Sequence, residues 1–165
     1  MELFKQRLEK DELALLDDVL NTQVDSVRVV DGRWDGAFFS GKAVLIEFDG
    51  ECLAFSAFAA TTPGEGLSSV RVLVGEAEDE AQGTEAFAEL KGRELISVDI
   101  LEETKTGKGR SEALMYDTTL IFRFASGSPF ALSTYNQLPD QVEAVIDPEE
   151  ISEFENEYIM RWQVE

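Results

Sequence analysis

Residues 43–58 leave the backbone little freedom: Ala43-Val-Leu-Ile-Glu-Phe48 and Glu51-Cys-Leu-Ala-Phe-Ser-Ala-Phe58 flank the pair Asp49-Gly50. Both flanks are rich in residues that favour strands, and Asp-Gly supplies the two φ > 0 positions of a two-residue hairpin turn. Side chains alternate between faces along a strand, so Phe48 and Phe55 are expected in a core and Glu47 outside it.

A similar pattern returns at Thr119-Leu-Ile-Phe-Arg-Phe-Ala-Ser-Gly-Ser-Pro-Phe-Ala-Leu-Ser-Thr-Tyr135, again with a glycine at the bend. Phe48, Leu53, Phe55 and Ser56 find counterparts at nearly constant spacing in Phe124, Phe130, Leu132 and Ser133. By the same alternation Phe124 and Leu132 point inward and Arg123 outward. A one-residue slip would turn every side chain to the other face, so the preserved register reads as an internal repeat, residues 1–75 and 76–140. The fold class that follows is α+β: a mostly antiparallel sheet of two pseudo-repeated helix-strand-hairpin units, with N-terminal and C-terminal helices packed on one side of it.

The remaining elements fit that scheme. Phe4, Leu8, Leu15, Leu16, Val19 and Leu20 recur at helical spacing and predict a helix over Glu2–Leu20. Strands are expected at 26–31, 67–74 and 94–103, and Thr84 caps a short predicted helix that stops at Gly92. The signal is clearest at 147–162. There Asp147 is an N-cap acid, Pro148 sits at the first helical position, acids fill the first turn, and Ile151, Phe154, Tyr158, Ile159 and Trp162 make one apolar face.

At 165 residues the chain suits a single domain that buries roughly 70% of its unfolded surface. The lone Cys52 has no intramolecular partner and fits a buried, reduced thiol. The N-terminal residues lack a basic region leading into an apolar core, and no uncharged run approaches bilayer length, which points to a cytoplasmic protein.

There is no histidine. Ser-His and Cys-His nucleophiles and imidazole metal ligands are therefore excluded. Gly36-Ala-Phe-Phe-Ser-Gly-Lys42 has the skeleton of a phosphate-binding loop, but Ala43 stands where the magnesium-binding hydroxyl belongs, and a strand follows instead of a helix. Asp31-Gly-Arg-Trp-Asp35-Gly36 hints at a calcium loop, yet Arg33 takes the third position and Lys42 the twelfth, where a bidentate Glu is required. With 34 acids, no particular carboxylate pair singles itself out for glycoside chemistry. Trp34, Met115, Tyr116 and Trp162 suit a core better than a ligand pocket. No catalytic residue, cofactor or metal is assigned.

Charge is the informative property. The net value is −20, and it is uneven: residues 76–104 hold ten acids against two bases, and residues 136–165 hold nine against one. Such a field repels nucleic acid and anionic lipid and speeds encounter with a cationic partner. The leading expectation is a noncatalytic inhibitor or immunity-type protein that neutralises a basic partner, such as a nuclease toxin or a nucleic-acid-binding protein. The alternative is a bacterial or phage scaffold or adaptor whose acidity serves solubility; a carboxylate-dependent enzyme or small-ligand binder ranks below both. The expected partner-binding residues are the densest acid runs, Glu76, Glu78, Asp79 and Glu80 in a loop and Glu149, Glu150, Glu153 and Glu157 in the last helix.

Overall fold

The structure, a computed structural model, describes residues 2–59, 68–75, 83–106, 112–135 and 138–165. In chain order the elements are β1 (Glu2–Gln6), α1 (Lys10–Asp18), β2 (Val24–Trp34), β3 (Phe38–Phe48), β4 (Glu51–Ala59), β5 (Ser68–Val74), β6 (Thr84–Glu85), a 3-10 turn (Ala88–Leu90), β7 (Leu95–Thr106), β8 (Glu112–Phe124), β9 (Phe130–Tyr135), β10 (Leu138–Val145), α2 (Pro148–Glu157) and β11 (Ile159–Val164).

Among the described residues the strands join one mostly antiparallel sheet, in the order β11-β7-β8-β9-β10-β3-β2-β6, curled into a half-barrel. β4 and β5 branch from β3, and β1 lies parallel to β8. One end of the curl is tied shut. Gln23 bridges Glu94, the Asn21 amide donates to the Leu95 carbonyl at 2.7 Å, and the Leu95 amide donates to Thr22 at 2.9 Å.

One face of the sheet carries the main core, in which Phe39, Phe55, Phe122, Phe130, Leu95 and Leu120 are wholly buried. An edge-on aromatic chain runs through it, Trp34 to Phe87 at 4.3 Å, Phe87 to Phe130 at 4.9 Å and Phe55 to Phe122 at 5.4 Å between ring centres. Phe87 holds a left-handed backbone, φ 50, which costs a bulky residue energy and persists because both neighbouring rings over-determine its position.

The first hairpin forms as its residues require. Asp49 and Gly50 take φ 46 and 87, and Glu47 pairs with Cys52. Phe48, Phe55 and Leu132 are buried as expected, whereas Phe124 at the strand end is only partly covered and Phe122 is the wholly buried ring of β8. Cys52 is buried.

The expected α+β repeat is overturned. The predicted helix over 2–20 is a strand followed by a nine-residue helix, because residues 2–6 find an open flank beside the first half of β8. Residues 84–90 form a two-residue strand and one 3-10 turn, not a helix. The predicted helix over 147–162 stops at Glu157, and its apolar tail, Ile159 to Trp162, instead pairs as β11 with the free edge of β7. Tertiary pairing wins in each case because a short helix has little stability of its own.

The order of strand pairing is common to the two hairpin units: β2-β3-β4-β5 and β7-β8-β9-β10 are each joined antiparallel, neighbour to neighbour, and β10 goes on to pair with β3. The helices do not share a side: Leu16 of α1 belongs to the main core, while Ile151 of α2 packs in a separate cluster with Leu101, Ile121, Ala131 and Val145.

Candidate functional site

α2 starts where its residues dictate. The Asp147 carboxylate accepts from the Glu149 amide at 3.0 Å, Pro148 occupies the first turn, and Ile151 alone of the helix is fully buried. Fixing Ile151 inward turns Glu149, Glu150, Glu153 and Glu157 outward, and all four are exposed. The structure thus brings together the helical half of the expected partner-binding set. Glu76, Glu78, Asp79 and Glu80 lie outside the described residues.

The acids around α2 form a like-charged neighbourhood. Glu143 of β10 is half-buried beside Glu150; burial first and then that neighbour's charge raise its carboxyl above the usual range. Glu150 is raised by slight burial and by Asp147, Glu153 and Asp35. Burial, with Glu157, Glu103 and Glu143, pushes the Tyr158 phenol up to about 12. Asp35 moves the other way, since its carboxylate accepts the Ala37 and Phe38 amides at 3.1 and 2.9 Å.

The arginines pair chiefly with acids outside this helix. Arg161 grips the fully buried Asp117 with two bonds, at 2.8 and 2.6 Å, and approaches Glu102 at 3.5 Å. Arg7 grips Glu102 at 2.5 and 3.1 Å, and the Leu8 amide donates to Asp117 at 2.7 Å. Arg71 pairs with Glu12 at 2.8 Å, and Arg123 with Asp99 at 2.7 Å and more loosely with Glu155. Arg7, Arg71, Arg123 and Arg161 are therefore committed to carboxylates, each to an acid that is buried. Little of the acidic excess is neutralised this way, and among the described residues no cation pairs with the α2 stripe Glu149, Glu153 and Glu157.

Two bulges build the Asp117 clamp. In β7–β8 the register jumps from Leu101↔Thr119 to Glu102↔Asp117, leaving Thr118 as the extra residue. In β11 it jumps from Met160↔Leu101 to Trp162↔Ile100, leaving Arg161. Each jump re-aims the neighbouring side chain, and together they point Arg161 at Asp117. Sequence reasoning passed over this clamp. Its one signal was an acid in the middle of the strand-like run Met115-Tyr-Asp-Thr-Thr-Leu-Ile-Phe122.

The motifs set aside on sequence grounds have structural roles. Gly41 sits in β3 opposite Gly32, and the Phe39 ring lies where a Cβ on either glycine would go. Asp35 already holds two backbone amides. Trp34 is partly buried against the core, and the buried Tyr116 donates its hydroxyl to Glu103 at 2.6 Å. Trp162, by contrast, is more than half exposed. Among the described residues no group of acids is arranged to hold a metal ion, and no helix is long and apolar enough to cross a membrane.

One cleft went unforeseen, a space of about 630 Å³ between α1 and β4–β5. Its wall includes Glu12, whose two oxygens accept from Arg71 and from the Val72 amide at 2.8 Å each. That carboxylate is held in place and is poorly disposed to act as a base.

No protein-family model, curated protein or solved structure matches the chain.

Proposed function

We propose that the protein is a noncatalytic, acidic protein-binding module of the inhibitor or immunity type, which works in the cytoplasm by neutralising a basic protein partner such as a nuclease toxin or a nucleic-acid-binding protein. The observation that carries this reading is the bare stripe on α2. Glu149, Glu153 and Glu157 recur every four residues on an exposed face, with Glu150 beside them. Like charges at that spacing destabilise a helix by a few tenths of a kcal/mol per pair, a cost that a cationic surface would reverse. Arg123 reaches α2 but pairs there with Glu155, not with the stripe. The field of such a face also disfavours direct contact with nucleic acid or anionic membrane.

The test is a pull-down from the source cell, followed by association kinetics for the captured partner. Reversing Glu149, Glu153 and Glu157 to lysine should slow association by roughly an order of magnitude at low salt and flatten its salt dependence. Unchanged on-rates would refute the assignment. Capture only of neutral or acidic proteins would favour a scaffold or adaptor whose charge serves solubility.

A further inference from the structure

β11 is an edge strand. Among the described residues it has β7 on one side and no strand on the other. It also carries three large apolar side chains in water, Ile159 at 76%, Met160 at 56% and Trp162 at 55% exposure. Cross-strand partners share a face, so Trp162, opposite Ile100, lies on the core side of the sheet and Met160, opposite Leu101, on the α2 side. The exposed groups therefore wrap both sides of one free edge. Grouped exposed apolar residues mark interaction sites, and a free edge offers unpaired backbone donors and acceptors to an incoming chain. The chain passes from Glu157 of α2 to Ile159 through Tyr158 alone, so the acidic helix adjoins this edge.

We propose that β11 is a docking strand: an extended segment of the partner, alternating apolar and basic residues, adds to its free edge and sets its cations against the acids of α2. This assignment rests on the acidic-binding reading above and gives it a binding mode. Charge selects the occupant. A second copy of this chain would bring another net −20 to the edge, whereas a basic segment is attracted. The bulge at Arg161 works in the same direction, because a twisted edge resists pairing with another rigid edge while a flexible segment can follow it. Its extra residue is turned into the Asp117 clamp, so Ile159, Met160 and Trp162 remain outside.

The probe is a short synthetic peptide alternating valine and lysine, with two controls: one alternating valine and glutamate, and a valine-lysine peptide N-methylated at every second amide. The valine-lysine peptide should slow amide exchange at residues 159–164 by about ten-fold or more, and N-methylation should abolish this. Replacing exposed residues in Ile159→Ser, Trp162→Ser should weaken binding with the fold intact. If the peptide binds in a salt-sensitive way but β11 amides exchange as before, or the N-methylated peptide binds equally, the docking strand is overturned and the acidic-binding reading stands. If β11 is protected but lysine reversal of Glu149, Glu153 and Glu157 changes nothing, or the glutamate peptide binds as well, the acidic contribution is overturned instead. Concentration-dependent dimers in sedimentation, removed by the β11 variant, would make a second copy the occupant and refute the basic partner.

Discussion

Asp117 is the residue on which the fold is most exposed to a single change. Its side chain is wholly buried and held by Arg161 and the Leu8 amide. Arg161→Ala leaves that charge uncompensated and should cost about 3–5 kcal/mol in a urea melt, with a similar loss for Asp117→Ala. Combining Arg161→Met with Asp117→Leu should cost clearly less than the two single changes added together, which a double-mutant cycle will show. Phe122→Ala should destabilise by about 3–5 kcal/mol and the partly covered Phe124→Ala by less, on the same melt. Glu143 gives a pH test. Its carboxyl lies above the usual 4.5, so the native state takes up a proton before the unfolded chain does, and stability rises as pH falls through the folded value. Glu143→Gln should raise the melting temperature at pH 7 and flatten that slope. Tyr158 acts at the other end of the scale: stability should fall as pH climbs from 10 toward 12, and its phenol should be late to ionise in an absorbance titration.

Among the elements, α2 is the one whose residues speak most plainly. Asp147, Pro148 and Ile151 fix its start and its buried side, and Asp147→Ala should cost about 1 kcal/mol in a thermal melt. Its end was not legible. Ile159 and Trp162 fit an apolar helical face as well as a strand, and only the open edge of β7, far away in the chain, decides between them. β1 is the same case, since Leu3 and Phe4 read as the start of a helix until β8 is present to pair with them. The hairpin at Asp49-Gly50 could be read in advance because everything that determines it lies within a few residues. The acids of α2 were equally legible as a surface, because acids rarely go inside unpaired. Which acids would be internal was not legible, since Asp99, Glu102 and Asp117 are chosen by arginines 24 to 95 residues away and by bulges with no local signature.

For the whole molecule, bringing some of the cations inward leaves an acidic surface that repels itself. Raising salt from about 10 mM to about 300 mM should therefore raise the melting temperature, since the screening length falls from roughly 30 Å to under 10 Å; calorimetry at constant pH checks this. The clamp around Asp117 has a temporal consequence as well. Its parts come from β1's exit at Arg7 and Leu8, from the middle of the sheet and from β11, so nothing built early in synthesis can satisfy it. A half-made chain holds strands and hairpins but carries a carboxylate it cannot yet bury. Docking of the first segment and of the last thus become a single event. The chain should refold as one slow, cooperative phase in stopped-flow, and no stable intermediate lacking β11 should accumulate.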